Sequence, residues 1–351
     1  MFKTKMTELF GIKHPIMLAG MNWITDPNLV ATVCNAGGLG ILATARYTPD
    51  ELRKCIKEIK TLTDKPFGIN QMLLMPGAQE NIKIAIEEKV PVVNYTLGKP
   101  WFVDQVHAYG GKVLGTTALA KHAVKAAQLG CDAIVITGHE AAAHGADATS
   151  LVLIPTVASQ VKIPIIAAGG FYDGRGLAAA LSLGADGISM GTRFMLTQES
   201  ALHANFKQLC LEATEQDTLY DTVFDGMPGR ALKSKGAIAL TKRGFPIIDA
   251  AKGAMQIKKM LKLSTAQFVG LSLKMMSAGE ESSPLWVQAR QAAGVPKHLK
   301  GIFEGDKEEG VLFASQCIGD IRDIPTCAEL IDRVIKEAQE AIKKTSAQMQ
   351  A

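Results

Sequence analysis

Short apolar runs alternate with longer amphipathic stretches through the first two-thirds of the chain. Each run is about five to seven residues long, and successive runs start 20 to 31 residues apart. That interval fits one strand, one helix and two short connections. Eight such repeats, apolar on both strand faces, predict a (β/α)8 TIM barrel. The predicted strands are Pro15–Ala19, Gly38–Ala43, Pro66–Asn70, Val90–Asn94, Lys112–Thr116, Asp132–Thr137, Ile163–Ala168 and Asp186–Met190.

The stretches between these runs carry helix start and stop signals. Thr48-Pro-Asp-Glu51 combines a capping box with a proline in the first turn. Ala118–Leu129 and Gly174–Leu183 are each followed by a glycine, as helices often are. A doubly wound open sheet is the alternative architecture. However, no G-x-G-x-x-G motif follows the first predicted strand, and eight even repeats favour a closed barrel.

The regular interval is lost after about residue 211. We therefore predict a barrel over 1–211, a smaller helical domain over 212–309 and a C-terminal segment over 310–351. Helical spacing occurs in Gln256–Leu263 and Ala266–Met276, and the methionines of this region either line a substrate lid or fill its core. They are Met227, Met255, Met260, Met275 and Met276.

The C-terminal segment contains two predicted elements. Gly310–Ile318 is an extended apolar stretch. Thr326-Cys-Ala-Glu329 has the sequence of a capping box and begins a final amphipathic helix that we expect to reach about Lys344.

Composition narrows the class of protein. Hydrophobic residues make up 47% of the chain and charged residues 21%, which is typical of a globular protein. The net charge of +4 gives no reason to expect binding to nucleic acid or an anionic membrane. We find no signal peptide, no run of about 20 apolar residues and no C-x-x-C pair among six cysteines. These observations predict a cytoplasmic protein with reduced cysteines.

The C-terminal ends of the predicted strands are the expected place for function in a barrel. They carry small, neutral, hydrogen-bonding residues, with no lysine and a single carboxylate. Schiff-base chemistry and a magnesium site with several carboxylates are therefore not expected. Such a lining is typical of a site for a flat organic cofactor that brings its own reactivity.

Two glycine sites at these ends predict a bound phosphate group. Gly169-Gly170 follows the seventh predicted strand, and Gly191-Thr192 follows the eighth. Barrels commonly hold a phosphate between these two loops, because uncovered backbone N–H groups converge there.

The sixth loop supplies the reactive candidate. It contains Gly138-His-Glu-Ala-Ala-Ala-His-Gly145, in which the two histidines are five residues apart. The helical zinc motif requires a separation of four, so we predict no metal site. His144 at the barrel mouth is a candidate general base or polarising donor, and a plain surface-loop histidine is the alternative.

These motifs together resemble the nitronate monooxygenases, formerly called 2-nitropropane dioxygenases, and their relatives among NADH:quinone reductases and flavin-dependent enoyl-ACP reductases. The loop at 138–145 resembles the family's Gly-x-Glu-Ala-Gly-Gly-His signature. The other matching segments occur in the family's order. They are His14–Met21, Asn35–Gly40, Pro164–Gly170, Met190–Phe194 and Leu312–Gln316.

The resemblance implies a non-covalent FMN at the barrel mouth, with NAD(P)H as a further co-substrate in the reductase relatives. His144 matches the family's catalytic histidine, and Glu140 matches a carboxylate that braces the loop. The signature's two glycines are Ala142 and Ala143 here. Ser315 replaces the glycine of the family's Ala-Gly-Gln turn, which Leu312–Gln316 resembles. The added side chains are expected to narrow the substrate space. The residues implied to hold the cofactor are Ala19, Gly20, Met21, Asn70, Thr116, Glu140, Ala168, Gly169, Gly170, Gly191, Thr192 and Gln316.

Three functions are compatible with the sequence. The first is an FMN-dependent monooxygenase that oxidises alkyl nitronates with O2 to carbonyl compounds and nitrite. The second is an NAD(P)H-dependent flavin reductase of quinones or enoyl groups. The third is a flavin-free barrel that binds a phosphorylated metabolite. The sequence determines neither the small-molecule substrate, nor the electron acceptor, nor the oligomeric state, a homodimer included.

Overall fold

Eight parallel strands form one sheet that curves into a barrel, and the predicted fold class is confirmed. The computed structural model describes residues 2–75, 77–142, 144–242 and 285–349, with positions 251, 253–255, 258 and 264–265. The strands are β1 (Ile16–Leu18), β2 (Gly40–Ala43), β3 (Phe67–Met72), β4 (Val92–Thr96), β5 (Lys112–Thr117), β6 (Ala133–Thr137), β7 (Ile165–Ala168) and β8 (Gly187–Met190). Their order around the sheet is β1-β8-β7-β6-β5-β4-β3-β2.

The barrel closes between β1 and the start of β2. The Leu18 N–H donates to the Leu39 carbonyl, and the Leu39 N–H donates to the Ile16 carbonyl, both at 2.9 Å. Alternate strand residues then face two different cores. Met17, Ile41 and Val135 belong to the cluster that fills the barrel interior. The residues next to them along each strand point outward and pack under the surrounding helices. This double burial explains why the strands are apolar on both faces.

Helix α1 (Lys5–Phe10) precedes β1, and one helix follows each of the strands β1 to β7 around the barrel. These helices are α2 (Pro27–Asn35), α3 (Pro49–Leu62), α4 (Ala78–Glu87), α5 (Val103–His107), α6 (Ala120–Gln128), α7 (Ser150–Ala158) and α8 (Gly174–Ser182). Thr48 and Glu51 form the predicted capping box at the start of α3. Met6 and Phe10 of α1 pack into the interior core and cover the end of the barrel opposite the mouth.

The connection after β8 is long and leaves the barrel at its mouth. It contains α9 (Thr192–Met195), α10 (Ala204–Glu212), α11 (Lys235–Thr241), α12 (Leu285–Leu299), a π-helix at Lys300–Glu304 and a 3₁₀ helix at Gln316–Asp320. The chain then ends in α13 (Cys327–Gln348), which has the predicted Thr326–Glu329 capping box. Because α13 packs against both α8 and α2, it takes the eighth helix position of the barrel.

The sequence predicted a helical domain over 212–309, but the described part of this region is not purely helical. It contains an antiparallel hairpin of β9 (Thr218–Asp221) and β10 (Gly229–Leu232), and Phe313 forms a further bridge to Ala231. The predicted extended stretch at 310–318 is therefore paired at Phe313 but turns into the 3₁₀ helix at Gln316. Met260, all of Ala266–Met276 and most of Gln256–Leu263 lie outside the described residues, so the domain boundaries stay a prediction.

Candidate active site

The loops after β1 and β3 meet closely at the mouth of the barrel. A side chain at Gly20 would have its Cβ 2.9 Å from the Asn70 Cβ, so only glycine permits this approach. The Asn70 Oδ1 atom is buried and accepts no hydrogen bond from the described residues. A buried amide oxygen without a donor is uncommon in proteins, and this one marks a place where a ligand N–H would fit.

The loop after β7 has a backbone that side chains rarely adopt. Gly169 and Gly170 have φ angles of 102° and 81°, so both positions require glycine. Gly191 after β8 has an ordinary φ of −105°. A Cβ added there would meet Met21 Sδ at 3.4 Å and Ala19 Cβ at 3.7 Å, which is normal packing. The fold itself therefore does not require glycine at 191, and its missing side chain leaves space over the backbone amides.

Glu140 joins the loops after β6 and β7. Its carboxylate accepts the Ser150 N–H at 2.9 and 3.0 Å at the start of α7. The Ser150 hydroxyl lies 3.0 Å from both Glu140 Oε2 and the Gly169 carbonyl oxygen. The Glu140 carbonyl also accepts the Gln316 N–H at 3.0 Å, which ties the C-terminal segment to the mouth. The carboxylate is thus engaged with the protein's own groups.

The remaining predicted cofactor residues lie at the strand ends as expected. Thr192 Oγ1 accepts the Ser315 N–H at 3.0 Å, and Ala168 is buried at the end of β7. The Thr116 hydroxyl donates to Asn94 Oδ1 at 2.9 Å, and Asn94 is the neighbour of Asn70 across the sheet. Ser315 directs its hydroxyl to the buried Cys317 thiol at 2.8 Å. Ala143 lies outside the described residues.

Among the described residues, the hydrogen-bond, ion-pair and ring contacts of His144 go to Phe313 and to the hairpin turn between β9 and β10. Its Nε2 atom lies 3.0 Å from Asp225 Oδ2, and its Nδ1 atom lies 3.2 Å from the Pro228 carbonyl oxygen. The ring packs edge-on against Phe313, with 5.9 Å between the ring centres. About a third of the side chain is exposed, at 31%.

Burial and charge in this cluster shift the pKa values of His144, Asp225 and His298. Burial opposes the charge on His144, but the hydrogen bond and the negative charge of Asp225 outweigh it and raise the pKa of His144 above its ordinary 6.5. Burial likewise opposes ionisation of Asp225, but the hydrogen bond from His144 and its charge lower the Asp225 pKa. Burial lowers the pKa of His298, whose ring stacks on Phe313 at 4.5 Å.

Side chains of the hairpin also form hydrogen bonds to both ends of the sixth loop. The Tyr220 hydroxyl donates to the Gly145 carbonyl at 2.7 Å. Arg230 Nη2 donates to the His139 carbonyl at 3.2 Å, and the His139 ring packs on Tyr220 at 4.5 Å between centres. The loop that presents His144 is therefore held by side chains that lie about 80 residues further along the chain.

Sequence reasoning missed Asp225, His298, Phe313, Tyr220 and Arg230. A signal for the hairpin was present, because Thr218–Asp221 has strand-forming residues and Asp225-Gly226 and Pro228-Gly229 are turn dipeptides. The pairing of Asp225 with His144 leaves no local trace in the sequence. Among the described residues, no three His, Cys, Asp or Glu side chains come together as a metal site. No described helix is long and apolar enough to cross a membrane.

The family follows from a match over almost the whole chain. The sequence profile of nitronate monooxygenase matches residues 3–337, which include the eight strands, the sixth loop and the first half of α13. The chain belongs to the nitronate monooxygenase family. It is an oxidoreductase of that family, and the resemblance found in the sequence is confirmed.

Individual relatives differ in how much of the chain they match. The (3aS,4S,5R,7aS)-5-hydroxy-7a-methyl-1-oxo-octahydro-1H-indene-4-carboxyl-CoA dehydrogenase of Rhodococcus jostii (strain RHA1) is 42% identical, with 96% of each chain covered. A probable nitronate monooxygenase of Staphylococcus saprophyticus is 31% identical over 66% of this chain and 79% of its own. The structure of FabK from Thermotoga maritima has a TM-score of 0.80 and 32% identity, and covers 99% of this chain and 100% of its own.

Proposed function

We propose that this member of the nitronate monooxygenase family is an FMN-dependent oxidoreductase of an acyl-CoA thioester, with NAD(P)H or NAD(P)⁺ as the redox partner. The extent of similarity carries this proposal. A match to the Rhodococcus CoA-thioester dehydrogenase over 96% of both chains includes nearly all of the 212–309 region. The match to the staphylococcal nitronate monooxygenase covers 66% of this chain.

The residues at the mouth fit FMN. The unpaired Asn70 Oδ1 is an acceptor suited to an N–H of a flat ring. Gly169, Gly170 and Gly191 leave backbone amides uncovered for a phosphate, and Thr192 stands at the start of α9. When bound, FMN supplies hydride chemistry that no side chain of the mouth provides. The predicted contacts of Ala19, Gly20, Met21, Thr116, Ala168 and Gln316 stay part of this proposal.

The distribution of charge supports an anionic substrate. The chain as a whole has a net charge of +4, but residues 233–274 contain nine lysines and arginines and one acidic residue. The rest of the chain therefore has a small net negative charge. Coenzyme A carries several phosphate charges, and a local basic excess attracts such a group at low ionic strength. We expect the KM for an acyl-CoA to rise with salt more than the KM for an uncharged quinone.

Anaerobic half-reactions test the proposal. Protein loaded with FMN is mixed without oxygen with NADH or NADPH, and then with enoyl-CoA thioesters. We expect bleaching of the yellow colour by one nicotinamide and its return with a thioester. The same thioester lacking the nucleotide part of CoA is the control and should react less efficiently. Inertness toward both nicotinamides and all thioesters would contradict the proposal.

Oxidation of alkyl nitronates is the second candidate. His144, with a charged partner and a position in the family's signature loop, is suited to orient an anionic nitronate. On this function, an alkyl nitronate with O2 yields a carbonyl compound and nitrite, and NADH leaves the colour unchanged. Nitrite release measured beside the half-reactions therefore separates the two candidates.

A further inference from the structure

The two ring nitrogens of His144 both face groups that accept hydrogen bonds. The Pro228 carbonyl oxygen, 3.2 Å from Nδ1, has no hydrogen to donate. The ionised Asp225 carboxylate, 3.0 Å from Nε2, has none either. The imidazole satisfies both contacts only when both nitrogens carry hydrogen. A general base needs the opposite arrangement, with one nitrogen free of hydrogen and open to the substrate.

We propose that Asp225 is a positioning residue that holds His144 in its doubly protonated form, so that His144 serves the reaction as a cationic hydrogen-bond donor and not as a proton acceptor. This inference rests on the proposed function only for the identity of the substrate anion. Its geometric basis is the hairpin turn, which brings the carboxylate and the carbonyl to the same ring.

Of the two histidines near Asp225, only His144 has contacts that require a positive charge. Among the described residues, His298 of α12 is the other titratable group that acts on the pair. Its Nδ1 lies 3.1 Å from the Val311 carbonyl and must carry the hydrogen of that bond. Its Nε2 is buried and has no hydrogen-bond partner in the part of the chain that the structure describes, so a neutral ring with a lone pair at Nε2 satisfies the contacts. Burial lowers the pKa of His298, whereas the pKa of His144 is raised.

The same geometry indicates what His144 does when a substrate is bound. Its bond to Pro228 is longer than its bond to Asp225, and the Pro228 carbonyl is uncharged. A substrate oxygen that gains negative charge, in a thioester enolate or a nitronate, is a stronger acceptor for the Nδ1–H. Asp225 meanwhile keeps Nε2 protonated and fixes the plane of the ring.

The pH dependence of kcat/KM gives the sharpest test. For wild type we expect activity that is level near about pH 6 and falls as the pH rises through the raised pKa of His144. In Asp225→Asn, the fall in activity should move to lower pH, with a loss of at least about tenfold near pH 9 and a smaller loss near pH 6. Asp225→Glu should restore much of the alkaline activity.

Asp221→Asn is the matched control in the same hairpin. Its carboxylate accepts the backbone N–H groups of Thr222 and Val223 and does not touch His144. This variant should keep the wild-type pH dependence of kcat/KM. An equal loss at every pH in Asp225→Asn would indicate a merely structural role and would overturn the inference. Activity that rises as His144 loses its proton would overturn it as well.

Nitrogen-15 NMR of histidine-labelled, FMN-loaded protein tests the protonation state without any substrate. His144 is assigned by the signal that is missing in His144→Gln. We expect a doubly protonated ring at about pH 7 in wild type and a neutral ring in Asp225→Asn. A neutral His144 at about pH 7 in wild type would refute the inference, whichever substrate the enzyme uses.

Discussion

The two sides of the barrel mouth are built in different ways. On the side of β7 and β8, the site consists of glycines and backbone amides at strand ends, close together in the sequence. On the side of the sixth loop, it consists of His144 and of side chains from the hairpin, α12 and the C-terminal segment. The first side follows from the barrel alone. The second exists only after the long connection beyond β8 has folded over the mouth.

This difference suggests a division of tasks. A backbone cradle is well suited to a phosphate group that all members of such a family could share. Side chains contributed from a long insertion are free to vary with the substrate. We therefore expect changes on the glycine side to alter FMN affinity, and changes on the hairpin side to alter turnover with FMN still bound.

The largest effect is expected for His144→Ala. Removing the cationic donor should lower kcat/KM by about 10²–10⁴ and leave FMN bound, because the hydrogen bonds of the ring go to the hairpin turn at Asp225 and Pro228. His139→Ala is the matched control, since its ring packs on Tyr220 outside this pair, and it should lose far less. Steady-state rates with flavin content measured in parallel check this. Loss of FMN together with activity would assign His144 to the glycine side.

Gly191→Leu should weaken FMN binding at least about a hundredfold. A Cβ atom at 191 meets only ordinary packing contacts, so the backbone should keep its conformation while the side chain fills the space over the amides. Losing two charge-assisted hydrogen bonds at roughly 1.5–3 kcal/mol each accounts for that factor. Gly191→Ala should show a smaller loss. A titration of apoprotein with FMN measures both, and an unchanged Kd for Gly191→Leu would mean that the phosphate lies elsewhere. Gly170 is less suitable, because its φ of 81° would strain any side chain.

Tyr220→Phe tests whether the hairpin positions the sixth loop for turnover. It removes the hydrogen bond to the Gly145 carbonyl, which is one of the contacts that hold the sixth loop. One such bond is worth about 1 kcal/mol, so kcat should fall about fivefold with FMN affinity unchanged. Tyr109→Phe loses a similar bond, to Val90, at the opposite end of the barrel. A fall of the same size in that control would show that the effect is general loss of stability.

The smallest effect concerns the pH dependence of stability. The raised pKa of His144 stabilises the fold below the unfolded value near 6.5, and this contribution is lost as the pH rises through the folded pKa. The lowered pKa of Asp225 stabilises above the unfolded value of about 3.9, and this contribution is lost as the pH falls through the folded pKa. Asp225→Asn should therefore lower Tm by a few degrees at about pH 5.5 and by less at about pH 9. Equal differences at both pH values would argue against the ion pair.

The sequence was sufficient for the barrel because each strand and helix carries its own signal. The double burial of strands such as Ile165–Ala168 appears as a continuous apolar run, and Thr48 and Thr326 cap their helices through residues three positions away. The glycines after β7 could be found for the same reason. The hairpin side could not be derived in this way. Asp225 lies 81 positions after His144 in the sequence, and His298 joins them through Phe313, so the constellation depends on tertiary packing alone.

Identifying the small molecule that the purified protein carries is the decisive experiment for an FMN site at the barrel mouth. Protein purified without added flavin is denatured, and the released small molecules are separated and identified by mass. We predict that the protein carries about one molecule of FMN per chain. If it is purified as apoprotein, we predict that it takes up one FMN and becomes yellow. The Gly191→Leu protein, purified in parallel, should carry much less. A colourless protein that takes up no FMN at micromolar concentration would contradict the account and favour the flavin-free barrel.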